Sequence, residues 1–493
     1  MLPDPDTAIA DAAVADMLAT GGDRRLDTDP HTGRNRYGCG FRPEEGLLHL
    51  GSCTGSTVTV PGFEAAGELL GRIGGADGAD PVSTEAEHDR IRRRLTALLI
   101  PDDDRVDVVL TPSGTDAEYV TVHLAVGASD RPLLNIVTAP YEVGSGTVPA
   151  AGALHFDTLT PNGSTPEAGS PVDHALADRV TTRNVTVRRP DGTTRDADDI
   201  DDEMRELVAH GIESGSDVMV HVVAHSKTGM HAPSLDLLAE LEQRYDDRLH
   251  VVVDAAQGRI SRRGLREALA ARRLVIVTGS KFYGGPPFAG AVLVPHRYAA
   301  VTGAAPPPKG FGDYFTAEQA PAEWEAWRSA LPAGGNVGLL LRWEAAITEI
   351  ERYYAVRPEL RFEILQTFAN RVPIVLDGVA TVQVEESPSP LLTDDAQRLL
   401  ESKQTVFSFA VRGAPGADRL REVQAHVRRG ASEGAGRPVQ IGQPVTVAAD
   451  GESLLRVALG APALCEYAAA PDPAAAIDEQ LHVLITRLEE ALR

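Results

Sequence analysis

The residues predict an α/β protein: a large domain on a mostly parallel central sheet, then a smaller C-terminal α/β domain. Three observations carry this. Continuous apolar runs recur from residue 106 to 279: VDVVL (106–110), LLNIVT (133–138), DVMVHVVA (217–224), HVVVDA (250–255) and LVIVTG (274–279). Such runs, unlike alternating ones, suit strands buried on both faces. Helical stretches such as Asp201–His210 and Leu235–Tyr245 lie between several of them, the order of a layered α/β domain. A Pro/Gly-rich connector (303–323) and a long helical stretch (Val337–Tyr354) then separate this half from a second alternating series.

In chain order, Ile9 to Leu18 reads as a short helix followed by an irregular arm, and 46–60 (GLLHLGSCTGSTVTV) as a strand with a small-residue loop. Helices are expected near Phe63–Ile73 and Thr84–Leu99. Residues 161–200 interrupt the alternation: TPNGSTPEAGSPVD is turn-rich, and NVTVRRPDGTTRDADD reads as a hairpin around Asp191-Gly192. This insertion and the connector either line a roomy entrance or are solvated surface, the usual fate of such segments. The late series runs TVFSFAVRG, a helix at Ala417–Arg428, PVQIGQPVTV, SLLRVALG and a helix at Pro473–Leu492. The division expected is 1–60 (arm and loop), 61–305 (large domain), 306–345 (connector and interdomain helix) and 346–493 (small domain).

A formal charge of −24 over 493 residues, with no basic stripe, disfavours nucleic acid and acidic membranes as partners. No apolar run approaches the roughly 20 residues that span a bilayer, and the N-terminus lacks the pattern of a secretion signal. Three cysteines (Cys39, Cys53, Cys465) have no metal spacing, so no metal is expected and a reducing cytoplasm fits best. Lysine occurs only at 227, 281, 309 and 403, so any amine chemistry falls on those four.

Three segments carry chemistry. TPSGTDAEY (111–119) joins an apolar strand to a helix; Gly114 permits close approach of a ligand, and the amides of Thr115 and Asp116 at a helix N-terminus suit a phosphate. Alone, such a stretch is more often a plain turn with an N-cap. Asp254 ends an apolar strand, where its carboxylate needs a cation, whether a protonated ring nitrogen or an arginine. In LVIVTGSKFYGGPP, Lys281 follows a strand and is flanked by small residues, with hydroxyls at Thr278 and Ser280; partial burial would lower its pKa and favour the free amine. Lys281 comes 27 residues after Asp254. A phosphate anchor, a carboxylate and an amine at neighbouring strand ends are what pyridoxal phosphate requires.

The chain resembles fold-type-I pyridoxal-phosphate enzymes of the aspartate-aminotransferase fold, and in particular the class V aminotransferase group that includes cysteine desulfurases. VVVDAAQGR and TGSKFYGGP carry the resemblance, with SLLRVALG, WRSALPAGGN and GLLHLGSCTGS, in order over residues 46 to 460. It implies Lys281 as the imine lysine and acid–base group, Asp254 on the pyridine nitrogen and Gln257 on the 3′-oxygen. Gly114, Thr115, Thr278 and Ser280 would bind phosphate, and Ser226 or His225 would give a second 3′-oxygen contact. Arg456 would hold the substrate carboxylate beneath a loop carrying Ser52 and Thr54. Gly335 and Asn336 would reach a neighbouring subunit's phosphate, implying a homodimer with shared sites.

Three departures stand out. Where the group often stacks a histidine on the ring, PYEVGSG offers none, and Glu142 is the residue expected near the cofactor. Ser280 stands where desulfurases usually have histidine. PVQIGQPVTV has no cysteine, which disfavours desulfuration. The implied function is an enzyme acting on an α-amino acid or derivative through a Cα carbanion, with aminotransferase ahead of a lyase, a β/γ-substitution or a carbon–carbon bond-forming enzyme of specialised metabolism. From other classes, a nucleotide-dependent oxidoreductase lacks its Gly-x-Gly-x-x-Gly turn, and a silent homologue would be expected to lose Lys281 or Asp254.

Overall fold

The computed structural model describes residues 5–75, 80–101, 105–386, 397–413, 416–429, 437–447 and 453–493. Its first strand, β1 (Leu48–Leu50), belongs to a sheet completed only near the far end of the chain. The central sheet comes next: β2 (Val106–Thr111), β3 (Leu133–Thr138), β4 (Val180–Val185), β5 (Asp217–Ala224), β6 (His231–Ala232), β7 (Leu249–Ala255), β8 (Leu274–Thr278) and β9 (Gly290–Pro295). The main order is β2-β9-β8-β7-β5-β3-β4, with β6 paired to β5. Strands β8, β7, β5, β3 and β4 run parallel; β9 is antiparallel to both β8 and β2. The predicted apolar runs are thus strands, and β3, β5, β8 and β9 are buried at every residue.

The smaller sheet contains β10 (Val382–Val384), β11 (Val406–Val411), β12 (Val439–Thr446) and β13 (Ser453–Ala458), in the order β1-β12-β13-β11-β10. β1 is parallel to β12, pairing Leu48 with Val439 and Leu50 with Ile441. The helix Val337–Ala355 packs against Val60–Arg72 and Pro81–Leu99 and joins the two halves.

Several boundaries differ from expectation for a local reason. Two early helices start upstream of the expected Phe63 and Thr84, at Val60 and Pro81, each with a proline in its first turn. Thr59 Oγ1 accepts from Gly62 N (3.2 Å) to cap Val60–Arg72, and Asp80 Oδ2 accepts from Ser83 N (2.9 Å) to cap Pro81–Leu99. Proline is tolerated in the first turn because its missing N–H has no helical partner there. The hairpin around Asp191-Gly192 is present but short, closed by Arg189 N to Thr193 O (2.8 Å), and the residues before it belong to edge strand β4. The connector is not an exposed insertion. Phe311, Tyr314 and Phe315 are buried in a cluster with Tyr119, and Asn162 Nδ2 ties the 160s loop to Gly312 O (2.7 Å). Among the described residues, no helix is long and apolar enough to cross a membrane.

Candidate active site

Parallel strands with helical crossovers open their C-terminal ends on one edge, where a ligand crevice forms. Here the turns after β2, β3, β5, β7 and β8 surround a cleft of about 780 Å³, closed on the other side by residues 53–54 and by β12 and β13. No residue of 161–200 or 303–323 lines it.

Asp254 and Lys281 come from adjacent strands, since Asp254 pairs in register with Ile276 on β8. Asp254 Oδ1 accepts from Ala256 N (3.0 Å). Among the described residues, neither its second oxygen nor Lys281 Nζ has a hydrogen-bond partner, so both atoms are left for a ligand. Burial lowers the pKa of Lys281, opposed by the charge of Asp254 and reinforced by Arg456 and Arg259. Burial likewise raises that of Asp254, opposed by Lys281, the Ala256 N–H and Lys227.

The turn after β2 is organised by Ser113, which the sequence reading passed over. Its Oγ donates to Asp116 Oδ2 (2.5 Å) and accepts from Thr115 N and Asp116 N (3.2 and 3.3 Å). The two amides expected to be free for phosphate are therefore engaged. What the turn offers instead is a cation. Arg25, from the N-terminal arm, donates to Thr115 Oγ1 and Ser113 Oγ (3.2 Å each) and is pinned by Asp23 (2.6 Å). It lies over Phe288, 4.6 Å from the ring centroid. Gly114 has little spare room, as a Cβ there would come within 3.2 Å of Thr278 Cγ2. Thr278 Oγ1 donates to Ala256 O (2.6 Å), whereas the Ser280 hydroxyl at the cleft wall has no partner among the described residues.

At the other end Arg456 is 2% exposed. Its guanidinium donates to Gln443 O (2.6 Å), Lys227 O (3.0 Å) and Thr54 Oγ1 (3.0 Å), all neutral acceptors. A buried arginine that pairs with no carboxylate among the described residues is poised for an anionic ligand rather than a structural ion pair.

Glu142 lines the cleft as expected, but its charge is already answered. It pairs with Arg188 (2.6 Å) and accepts from Ser226 Oγ and Thr228 Oγ1. Ser226 Oγ also accepts from the backbone of Thr228 and Met230, so it holds its own turn together. The His225 ring, which meets His231 Nε2 at 3.1 Å, is the better placed of the two candidates, Ser226 and His225, to face a ligand. Gln257 Nε2 donates to Cys53 O (3.1 Å) and Oε1 accepts from Arg259 (2.9 Å), which leaves one amide N–H.

Among solved structures, the chain is similar to the apo cysteine desulfurase of Thermococcus onnurineus NA1, with TM-score 0.53 and 16% identity over 90% of this chain and 95% of that one. It is similar too to the cysteine desulfurase CsdA of Escherichia coli, with TM-score 0.50 and 14% identity over 90% and 94%. No protein-family model matches the chain, and no curated protein matches it in sequence. The fold is aspartate-aminotransferase-like, fold type I.

Within this fold, three predicted residues lie off the cleft. Ser52 Oγ, buried, donates to Leu459 O (2.8 Å) and accepts from Arg259 (2.8 Å). Asn336 caps the helix Val337–Ala355 through Leu339 N (2.9 Å) and donates to Gly21 O (2.8 Å), while Gly335 N donates to Glu318 (2.9 Å). Thr54 does line the cleft, beside Arg456. Arg25 and Gln443 were missed because their contacts span the chain, and no local pattern marks them. Ser113 was visible in the turn motif itself.

Proposed function

We propose that the protein is a pyridoxal-phosphate enzyme acting on an α-amino acid or amino-acid derivative, with amino-group transfer as the leading reaction. One observation carries the reading: an amine and a carboxylate from adjacent strand ends, each with an unpartnered atom, share a cleft with a buried arginine that has no carboxylate of its own.

The residues fit the cofactor. Lys281 would hold its aldehyde and Asp254 its ring nitrogen, with the Ser280 hydroxyl, Gly114, Thr115, Thr278 and Arg25 around its phosphate, and the spare N–H of Gln257 and the ring of His225 toward its 3′-oxygen. Bound there, pyridoxal phosphate supplies an electron sink for breaking a bond at the substrate Cα. The depressed pKa of Lys281 raises its neutral fraction at neutral pH, which suits an amine that takes a proton from Cα and returns it. Asp254 would face the ring nitrogen and favour its protonated form; burial raises the Asp254 pKa, and Lys281, the Ala256 N–H and Lys227 oppose that rise. Arg456, with one Nη1 N–H still uncommitted among the described residues and its charge unanswered, would hold the α-carboxylate and so fix which Cα bond faces Lys281.

The cleft offers no accessible thiol, which argues against desulfuration; elimination, substitution and carbon–carbon bond formation need no such thiol and stand as alternatives to amino-group transfer. Cys53, the cysteine on its wall, is 1% exposed, and a Cβ at Gly442 would lie 2.5 Å from its Sγ. All three cysteines are buried and unpaired, in keeping with a reducing compartment. A homodimer is proposed by analogy of the 327–336 segment, to be checked by sedimentation.

The test is borohydride reduction after loading with pyridoxal phosphate, followed by intact-mass analysis. Wild type should lose a violet absorption band and gain one cofactor mass; Lys281→Ala should gain none. Retention by the alanine variant at Lys227 would overturn the assignment. Incubating loaded enzyme with paired amino and keto acids then reads amino-group transfer directly.

A further inference from the structure

In a chain of net charge −24, this cleft is lined by Arg25, Arg36, Lys227, Lys281, Arg421 and Arg456 against the carboxylates of Glu142 and Asp254 alone. Most of that charge is answered nearby. Asp23 pairs with Arg25, Asp418 with Arg421 and Arg188 with Glu142, and Lys281 faces Asp254. Three cations are left over: Arg456, Lys227 and Arg36. Among the described residues none of the three has a carboxylate within ion-pairing distance, and Lys227 Nζ has no hydrogen-bond partner.

These three are held together. Gln443 accepts from Arg456 through its carbonyl oxygen (2.6 Å) and donates its side-chain amide to the backbone oxygen of Arg36. The carbonyl of Lys227 accepts from Arg456 Nη1 (3.0 Å), and the Lys227 N–H is anchored on Glu142 O (2.8 Å). From the buried Arg456, through part-buried Lys227, to exposed Arg36, the charges run outward along one wall. One α-carboxylate satisfies Arg456 and leaves the other two unanswered.

We propose that Lys227, with Arg36 at the mouth, forms a second anion subsite, so that the substrate is an α-amino acid whose side chain carries a carboxylate or phosphate. This rests on the reading of Arg456 as the α-carboxylate site. Burial pushes the Lys227 amine down to about 7, with Arg456, Lys281 and Arg36 adding to that and Glu142 opposing it. An anion seated beside it raises its pKa again, so binding above pH 7 takes up a proton and weakens as pH rises.

The test is titration calorimetry with L-aspartate against L-asparagine, L-glutamate against L-glutamine, and O-phospho-L-serine against L-serine. Loaded and unloaded protein are both titrated, at pH 8 in buffers of different ionisation enthalpy. At least one acidic member should bind about tenfold or more tightly than its neutral counterpart, the scale of one charge-assisted contact, with proton uptake. In Lys227→Gln the preference should fall to about threefold or less and the proton uptake vanish, and Arg36→Gln should give a smaller loss. Equal binding within every pair in both protein forms overturns the subsite, as does a preference that survives both substitutions. The cofactor reading is scored separately, by the mass adduct at Lys281. Its absence sinks that reading, while discrimination by the unloaded protein still decides the subsite.

Discussion

Arg456 earns its place by what it lacks: every acceptor it has found is neutral, and its charge is buried. Replacing it with glutamine should weaken binding of any amino acid by about 10- to 100-fold, the range of one charged hydrogen-bonded contact, while the cofactor adduct at Lys281 persists. Calorimetry beside the reduction assay separates the two. Glu118 makes the opposite case. Burial raises its pKa well above the carboxylate range, the charge of Asp254 adds to this, and burial holds its neighbour His221 (3.5 Å) down to about 4. His221 is thus held neutral at pH 7 and the Glu118 carboxyl is pushed toward its protonated form, which argues against an ion pair. Glu118→Gln should leave cofactor retention and the absorption band unchanged from pH 6 to 8; a shifted band would show that the carboxyl is charged and acts on Asp254. At this scale a residue is legible in the sequence where its type is scarce and its position distinctive. Lys281 is one of four lysines and Asp254 ends an apolar run. Arg25 is not legible, because arginine is common here and its partner Thr115 lies 90 residues away.

Helices and strands were legible wherever periodicity or apolar continuity was strong, and Ala417–Arg428 and Pro473–Leu492 agree with expectation at both ends. The short strand β4 was not, because its mixed exposure gives no continuous run. The N-terminal arm reads as irregular in the sequence, yet one buried side chain, Arg342, gathers carbonyls at its start. Arg342 donates to Phe288 O (2.7 Å), Leu18 O (2.8 Å), Thr20 O and Gly21 O (3.3 Å). Arg342→Met would take this donor from those carbonyls, leaving Gly21 O, among the described residues, only its bond from Asn336, and loosen the stretch that carries Arg25. Expected effects are a loss of about 2–4 kcal/mol in stability, read by chemical denaturation, and weaker cofactor binding. A variant that loses stability while binding cofactor as tightly as wild type would show that Arg25 does not depend on the arm's seating.

For the whole molecule, fold class followed from the sequence because burial on both faces writes itself into the inner strands β3, β5 and β8. Strand order and the seating of the connector did not, since they depend on which surfaces meet rather than on any one segment. The junction between the halves rests heavily on Arg259, which donates to Thr405 Oγ1 (2.7 Å) and Leu459 O (3.1 Å) on one side, Gln257 O (3.1 Å) within the central domain and Ser52 Oγ (2.8 Å) on the N-terminal loop. Burial lowers its pKa to about 10, so it stays charged at neutral pH. Arg259→Met should cost about 2–4 kcal/mol and broaden thermal unfolding into two resolvable steps; one sharp transition at the wild-type temperature would mean the halves are held elsewhere.

The pairing of Leu48–Leu50 with Val439–Ile441 has a consequence for biosynthesis. A ribosome delivers the first partner nearly four hundred residues before the second, and closing so long a loop is slow as well as entropically costly. Until translation is nearly finished, β1 has no neighbour to zip onto, and Thr54 waits for an Arg456 not yet made. Closure of the cleft therefore comes at the end of synthesis, and a polypeptide stalled before β12 would emerge without the wall that carries Gln443 and Arg456.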